Sequence, residues 1–536
     1  MIHPVALKLF PRVRYPNYPL AGRLRFFVKN WEKLTADPVI LKIVTGWEIP
    51  FMENPQQGKF RRFQSNKSQN DLITEEVESM LEKGAIRLVH YTPGQVLSNI
   101  FLREKKEGTF RPIIDLKRVN EYIPYVKFKM ETLKNIRDLL KKGDLMVKID
   151  LKDAYFTVPL SQNSLKYVRF SWQGSLYEFL CMMFGLGPAP RIFTKIMKVP
   201  MSLLRRLKIR IVIYMDDMLL MGAGWTEIIQ ARDTTIHVLE SLGFIINYKK
   251  SVLDPSTQIE FLGVMVDSME MTLSIPQSKM QKLISLCQKT LAQPTMSMRK
   301  LAKVLGTLKA TAPGFSWAPL QTRYLQQILV QGTKQGLSYE AMVTLSEEAT
   351  WELKWWLDNM KLLNGKSLSV NPPDLFISTD AAKGKRGGWG AECHGTRTGG
   401  PWKTAEKSLH INVLELIAAE LGLKTFTKGM FGISVHLKMD NTTALSNVVK
   451  MGGTKNLDMI HISKRLWTYL LDNKIELTVE YIPSKLNVEA DWESRNWVDS
   501  SEWMLNPQVF QQICHRWGYP TWICLLPEFL ISYRTT

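Results

Sequence analysis

Ile209-Arg-Ile-Val-Ile-Tyr-Met-Asp-Asp-Met-Leu-Leu-Met221 is the stretch from which the rest of the chain is read. Two apolar runs, the first rich in β-branched residues, flank Asp216 and Asp217. Each run reads as a strand, so the acid pair falls at the turn of a hairpin. Adjacent carboxylates repel one another and lose hydration, whereas a turn accepts almost any polar pair. A divalent cation offsets the repulsion, because Mg²⁺ takes a few carboxylate oxygens, some water and substrate phosphate. Taken alone, Tyr214 to Asp217 is also a polar hairpin turn on a buried sheet. A third carboxylate upstream, in the right setting, would favour the metal.

Met146 to Leu160, Met-Val-Lys-Ile-Asp-Leu-Lys-Asp-Ala-Tyr-Phe-Thr-Val-Pro-Leu, supplies it. Asp150 ends a short apolar strand, and Tyr155 and Phe156 follow. A strand-end Asp with a hairpin Asp-Asp makes a three-carboxylate cradle for two metals. Such a pair activates an attacking oxygen and stabilises a leaving one in phosphoryl transfer. These stretches resemble motifs A and C of a reverse transcriptase palm. The order of the other blocks resembles the reverse transcriptase–ribonuclease H polyproteins of LTR-type retrotransposons, DIRS-like elements first and gypsy-like ones next. The resemblance runs from about Leu20 to Trp497.

The resemblance implies an α+β and α/β multidomain chain: a right-hand polymerase of fingers, palm and thumb, a connection, and a ribonuclease H-like α/β domain. The expected boundaries are a lead-in over 1–70, fingers and palm over 71–266, thumb and connection over 267–370, a nuclease domain over 374–497 and a tail over 498–536. Arg111 matches the family's triphosphate-binding Arg. Lys105 or Lys106 is the Lys expected nearby, with a solvated turn as the competing reading. Tyr155 matches the steric gate under the nucleotide sugar; from residue type alone it is as readily core. Met183 to Phe193 resembles motif B, in which Gly185 allows close backbone approach to a base pair. Phe184 stands where retroviral enzymes carry Gln, as in gypsy-like and DIRS-like proteins. Phe244 to Lys250 resembles motif D, with Lys249 or Lys250 as a proton donor or as plain solvated lysines. Phe261 to Val266 resembles a primer grip. Local patterning predicts a helix over 130–142, a strand over 112–116, and Trp351, Trp355 and Trp356 as core.

Composition fits a polyanion partner. The 536 residues carry a net charge of +20, and Lys/Arg clusters recur at 59–62, 103–106, 141–142 and 205–210. Clustered cations gain affinity by releasing phosphate counterions; a solvated basic surface is the plainer reading. Cys181, Cys287, Cys393, Cys514 and Cys524 are odd in number and far apart. They show no zinc spacing and no disulfide framework, and read as reduced, intracellular cysteines. No signal-peptide core and no membrane-spanning run stands out, so a cytoplasmic or nuclear location is expected and no membrane partner.

Asn371-Pro372-Pro373 reads as a linker. A second carboxylate set follows: Asp380 at a strand end, Glu415 on a helix, Asp440 at another strand end, and Asp491 in Asn487-Val-Glu-Ala-Asp-Trp-Glu-Ser-Arg495. Each alone is unremarkable. In this order, behind a polymerase, the set resembles the Asp-Glu-Asp-Asp pattern of ribonuclease H. The loop Ile482 to Asn487 lacks the His that many ribonucleases H carry before the last Asp. The implied cofactor is Mg²⁺, with Mn²⁺ as an alternative. The implied partners are RNA template, DNA primer, RNA–DNA hybrid and dNTPs, with a recombinase or integrase on a separate chain. Asp150, Asp216 and Asp217 would serve the polymerase, and Asp380, Glu415, Asp440 and Asp491 the nuclease. The competing reading is a catalytically silent nucleic-acid-binding protein derived from such an element. The sequence sets neither the oligomeric state nor a role for Ser501 to Thr536.

Overall fold

The computed structural model describes residues 1–58, 67–104, 110–369, 371–384, 387–453, 456–496 and 507–518. The chain forms two compact units. The first comprises Met1–Ala318 with Tyr339–Val370, and the second comprises Pro319–Ser338 with Asn371–Thr536. The change at Asn371 falls on the Pro-Pro stretch. Residues 319–338 go with the second unit, unlike the single 267–370 segment expected from the sequence.

The first unit is built around a four-stranded antiparallel sheet, in the order Val252–Ser256, Leu145–Asp150, Asp217–Gly222, Arg210–Tyr214. Ile211, Val212, Met218, Leu219 and Leu220 are fully buried. Both faces of the hairpin are therefore covered, and its sequence reads as two continuous apolar runs rather than an alternation. The helices Ala189–Arg206 and Trp225–Ser241 pack against this sheet. A second sheet contains the hairpin Arg169–Trp172 and Ser175–Phe179, turned at Gln173 and Gly174, both at positive φ. Residues 1–58 enter the same hydrophobic core through Phe10, Leu24, Phe27, Trp31, Ile43 and Val44. Trp31 also donates from Nε1 to the Leu242 carbonyl at 3.0 Å.

Three local expectations change. The helix predicted over 130–142 is Leu133–Leu139, because Thr132 and Asn135 form a capping box that starts it later. The strand predicted over 112–116 is Phe110–Ile114. Of the three tryptophans expected in the core, Trp356 is fully buried while Trp351 is 51% exposed.

The second unit carries a five-stranded mixed sheet, in the order Thr396–Pro401, Gly388–Cys393, Leu375–Ala381, Ser434–Met439, Glu476–Tyr481. Gly388–Cys393 is antiparallel to both its neighbours, and the last two strands run parallel to Leu375–Ala381. The helices Ile411–Phe426 and Val488–Asn496 pack on the antiparallel part. Glycine makes both contacts possible. A Cβ on Gly422 would meet Thr379 and Ala391 side-chain atoms, and one on Gly390 would lie 2.2 Å from the Ala490 carbonyl.

Candidate functional site

The first carboxylate group arises from strand register. Asp150 and Asp217 are cross-strand partners at the ends of adjacent antiparallel strands, so their side chains are close neighbours. Asp216 sits beside them in a two-residue turn closed by the Tyr214–Asp217 pair. Met215, the other turn residue, has φ +58°, a conformation that costs a side-chain-bearing residue about 1 kcal/mol. The Tyr155 hydroxyl approaches the Met215 sulfur at 3.8 Å. Asp150 is 8% exposed. Burial, then the charges of Asp216 and Asp217, push its carboxyl up to about 6, against a hydrogen bond from Asn247 and the charge of Lys250. Lys148 Nζ lies 3.0 Å from Asp217 Oδ1. Of the two motif-D lysines, Lys250 is the one whose charge acts on Asp150.

Tyr155 lies on a short 3₁₀ turn, with ring centroids 5.1 Å from Phe184 and 5.6 Å from Phe193. It thus bridges the 150s segment, motif B and the hairpin turn. Gly185 has φ +100°, and a Cβ there would come within 2.6 Å of the Ile114 carbonyl. The chain's own backbone therefore already requires glycine here. Asn120 holds this loop from both sides, donating to the Gly185 carbonyl at 2.9 Å and accepting from the Gly187 N–H at 2.8 Å. Arg111 lies opposite Arg103 in a two-stranded ladder, and its side chain lies outside what the structure describes. Lys105 and Lys106 lie outside the described residues.

The second carboxylate group is more tightly gathered. Ligand atoms of Asp380, Glu415 and Asp440 all lie within 4.8 Å of one another, the one such acidic trio among the described residues. Asp380 and Glu415 are buried. Burial, then the neighbouring Asp380 and Asp440, push the Glu415 carboxyl up to about 9. Glu415 Oε2 is buried with no hydrogen-bond partner among the described residues. Asp380 is pushed up to about 6, chiefly by burial, although Ser494 Oγ donates to its Oδ2 at 2.6 Å. Asp491 stands outside the trio, on the first turn of Val488–Asn496, in an ion pair with Arg495 at 2.7 Å. In the loop before Asp491, which lacks a His, Asn487 is buried and donates to the Thr379 carbonyl at 3.0 Å.

Lys148, Asn120, Asn247, Ser494 and Arg495 were not singled out from the sequence as site residues. Lys148 had a signal: two residues before Asp150 on a strand, it shares that face. Ser494 and Arg495, three and four residues after Asp491 on a helix, had one too. Asn120 lies 65 residues from Gly185 and had none.

Both groups suit a hard divalent cation. Every donor is a carboxylate oxygen, the set preferred by Mg²⁺ and Mn²⁺. The orphaned Glu415 Oε2 is the kind of atom an ion would satisfy.

Comparison with known proteins agrees with the polymerase geometry. Residues 103–266 match the family described as reverse transcriptase (RNA-dependent DNA polymerase). The chain is 24% identical over 442 residues to a putative enzymatic polyprotein of Cassava vein mosaic virus, covering 78% of this chain and 64% of that one. It is 23% identical over 273 residues to the Transposon Tf2-3 polyprotein of Schizosaccharomyces pombe, covering 48% of this chain and 20% of that one. These relatives do not support the DIRS-like placement. A foamy viral protease-reverse transcriptase in complex with RNA/DNA hybrid superposes with a TM-score of 0.53 at 15% identity, covering 94% of this chain and 68% of that one. The likeness is one of fold: a mixed α/β, multidomain chain. Among the described residues, no helix is long and apolar enough to cross a membrane. Residues 103–266 are therefore a reverse transcriptase (RNA-dependent DNA polymerase) domain, related to those of retroelement and pararetrovirus polyproteins.

Proposed function

We propose that this chain copies RNA into DNA with its first unit and cleaves the RNA of the resulting hybrid with its second. The observation that carries the polymerase reading is the pairing of Asp150 with Asp217 on neighbouring strands, with Asp216 in the turn beside them. These three would hold Mg²⁺ at the primer end. When bound, the ions supply Lewis-acid activation of the attacking oxygen and charge neutralisation on the triphosphate. The chain's own groups set the stage. Tyr155, braced by Phe184 and Phe193, offers a flat ring for the nucleotide sugar. Asn120 fixes the loop carrying Gly185, and Arg111 is the candidate for the triphosphate. Lys250 brings a positive charge to the Asp150 side of the site.

The nuclease reading rests on the buried Asp380, Glu415 and Asp440 trio. These would hold Mg²⁺ at the RNA strand. Asp491 would join by releasing Arg495, and Ser494 keeps one Asp380 oxygen oriented. The loop before Asp491 has no His, and Arg495, four residues after it, is the nearest cation in sequence.

Primer extension on poly(rA)/oligo(dT) with Mg²⁺, beside Asp216→Asn, tests the polymerase. Extension by the wild type alone is expected. No extension by either protein, with hybrid binding intact, would replace this reading with a silent binder.

A further inference from the structure

A groove of about 510 Å³ runs along one face of the helix Ala189–Arg206, and none of Asp150, Asp216 and Asp217 lines it. Lys127, Lys129, Arg191, Lys195, Lys198 and Arg206 line it. None of the six has an ion pair or side-chain hydrogen bond among the described residues. The one acid in the lining, Asp37, is committed to capping the helix Pro38–Gly46, where it accepts from the Val39 N–H at 2.8 Å. Unneutralised cations around one groove repel each other, and an extended polyanion relieves that cost.

Two further features narrow the polyanion. Arg191, Lys195 and Lys198, then Arg206, follow helical spacing, so they form a stripe along the helix rather than a point. A stripe fits a chain of phosphates better than one phosphate. Phe128, 40% exposed, lies in the groove between Lys127 and Lys129 in sequence, and Tyr125 just before it is 87% exposed. Cations interleaved with exposed aromatic rings suit unpaired bases, which stack on the rings while the backbone tracks the charge. The groove also leads somewhere. Lys129, Thr194 and Lys198 line both it and a crevice of about 60 Å³ whose walls include Ile213 and Met215, the residue before Asp216.

We propose that this groove binds a single strand of nucleic acid and guides it along the helix Ala189–Arg206, past the back of the catalytic hairpin. Residues 34–40 of the N-terminal segment form one of its walls. The strand is either the template's own unpaired overhang or a separate strand; the backbone and base chemistry is the same.

The test is fluorescence anisotropy on the full chain, with labelled oligo(rA) and with primer–template that is blunt or carries a long 5′ overhang. The variants are Lys195→Gln/Lys198→Gln/Arg206→Gln and, on a different element, Lys127→Gln/Lys129→Gln, with thermal melts as the folding control. Each lost phosphate contact lowers the slope of log affinity against log salt by about 0.7, so the triple variant should flatten it by about 2. Affinity for oligo(rA) should fall by about tenfold or more at low salt. A loss confined to overhung primer–template against blunt identifies the template; a loss of oligo(rA) binding to protein already holding primer–template identifies a separate strand. Either supports the groove. Unchanged affinity and slope in both folded variants would overturn it, as would a change only in self-association, which would make the face a contact between copies. The readout is binding, so a chain without polymerase activity still answers the question.

Discussion

In the first unit, Asp217 faces Lys148 at 3.0 Å, and the charge of Lys250 opposes the rise in the Asp150 carboxyl. In the second unit, Asp380, Glu415 and Asp440 crowd together, and Glu415 is pushed up to about 9 with one buried oxygen unpartnered. The hairpin acids are thus partly offset by lysines, although Asp150 is still pushed up to about 6. The trio is a cage already shaped for an ion and strained without one. The difference teaches how each should respond to a lost charge. The hairpin acids are partly offset by neighbours and should tolerate the metal-free state better. The trio should not, except by keeping a proton.

The sharpest way to break this comparison is to separate the two activities. Asp440→Asn should lower hybrid cleavage by on the order of a thousandfold while primer extension persists, and Asp216→Asn should do the reverse. Cleavage of a labelled RNA strand and extension of a labelled primer report both. If either variant abolishes both activities, the two groups are not independent.

The next effect is on stability. An acid whose folded value is raised binds more protons folded than unfolded, so its contribution is lost as pH rises from its ordinary value to the folded one. For Glu415 that window runs from the usual carboxylate range to about 9. Metal-free protein should therefore weaken as pH rises to about 9, and Glu415→Gln should stabilise it at alkaline pH by roughly 2 kcal/mol. Chelator-treated melts across pH would show it. A destabilised Glu415→Gln would mean that Glu415 is satisfied by protein groups.

A smaller effect sharpens the first unit. Asp150, pushed up to about 6, must lose its proton to hold a cation. The Mg²⁺ concentration giving half-maximal extension should rise by up to about tenfold per pH unit below that value. A flat Mg²⁺ requirement down to pH about 5 would remove Asp150 from the ligand set.

The smallest expected effect concerns Lys148. Its partly exposed pair with Asp217 is worth at most about 1 kcal/mol. A cation must displace it, so Lys148→Gln should lower the Mg²⁺ requirement for extension about threefold with little change in stability. A raised requirement would instead make Lys148 a support for Asp217.

The hairpin and the strand ending at Asp150 were legible because each needs only local information, apolar runs interrupted by acids. The register joining Asp150 to Asp217 is not local, yet the family resemblance implied it. In the second unit's sheet only the two strands leading to Asp380 and Asp440 were legible; the other three were not read from the sequence. What escaped was tertiary. The Ile114 carbonyl that packs against Gly185 lies 71 residues away in sequence and left no local mark. Trp351 shares helical spacing with Trp355, yet a helix of three tryptophans has more apolar surface than one core face accepts. Asn120 carries no mark in its neighbourhood, because its partners are a loop that only folding brings near.

The N-terminal segment bears on how this chain is handled at the bench. Phe10, Trp31 and Val44 are as deeply enclosed as any residue of the central sheet. A truncation starting at the helix Lys67–Glu82, which sequence boundaries would invite, strips the wall from Phe244 and Leu242 and leaves an oily face open to water. Such a fragment should form inclusion bodies or be digested. A co-expressed piece spanning residues 1–58 should rescue its yield, as two halves of one core rather than as a carrier and its cargo.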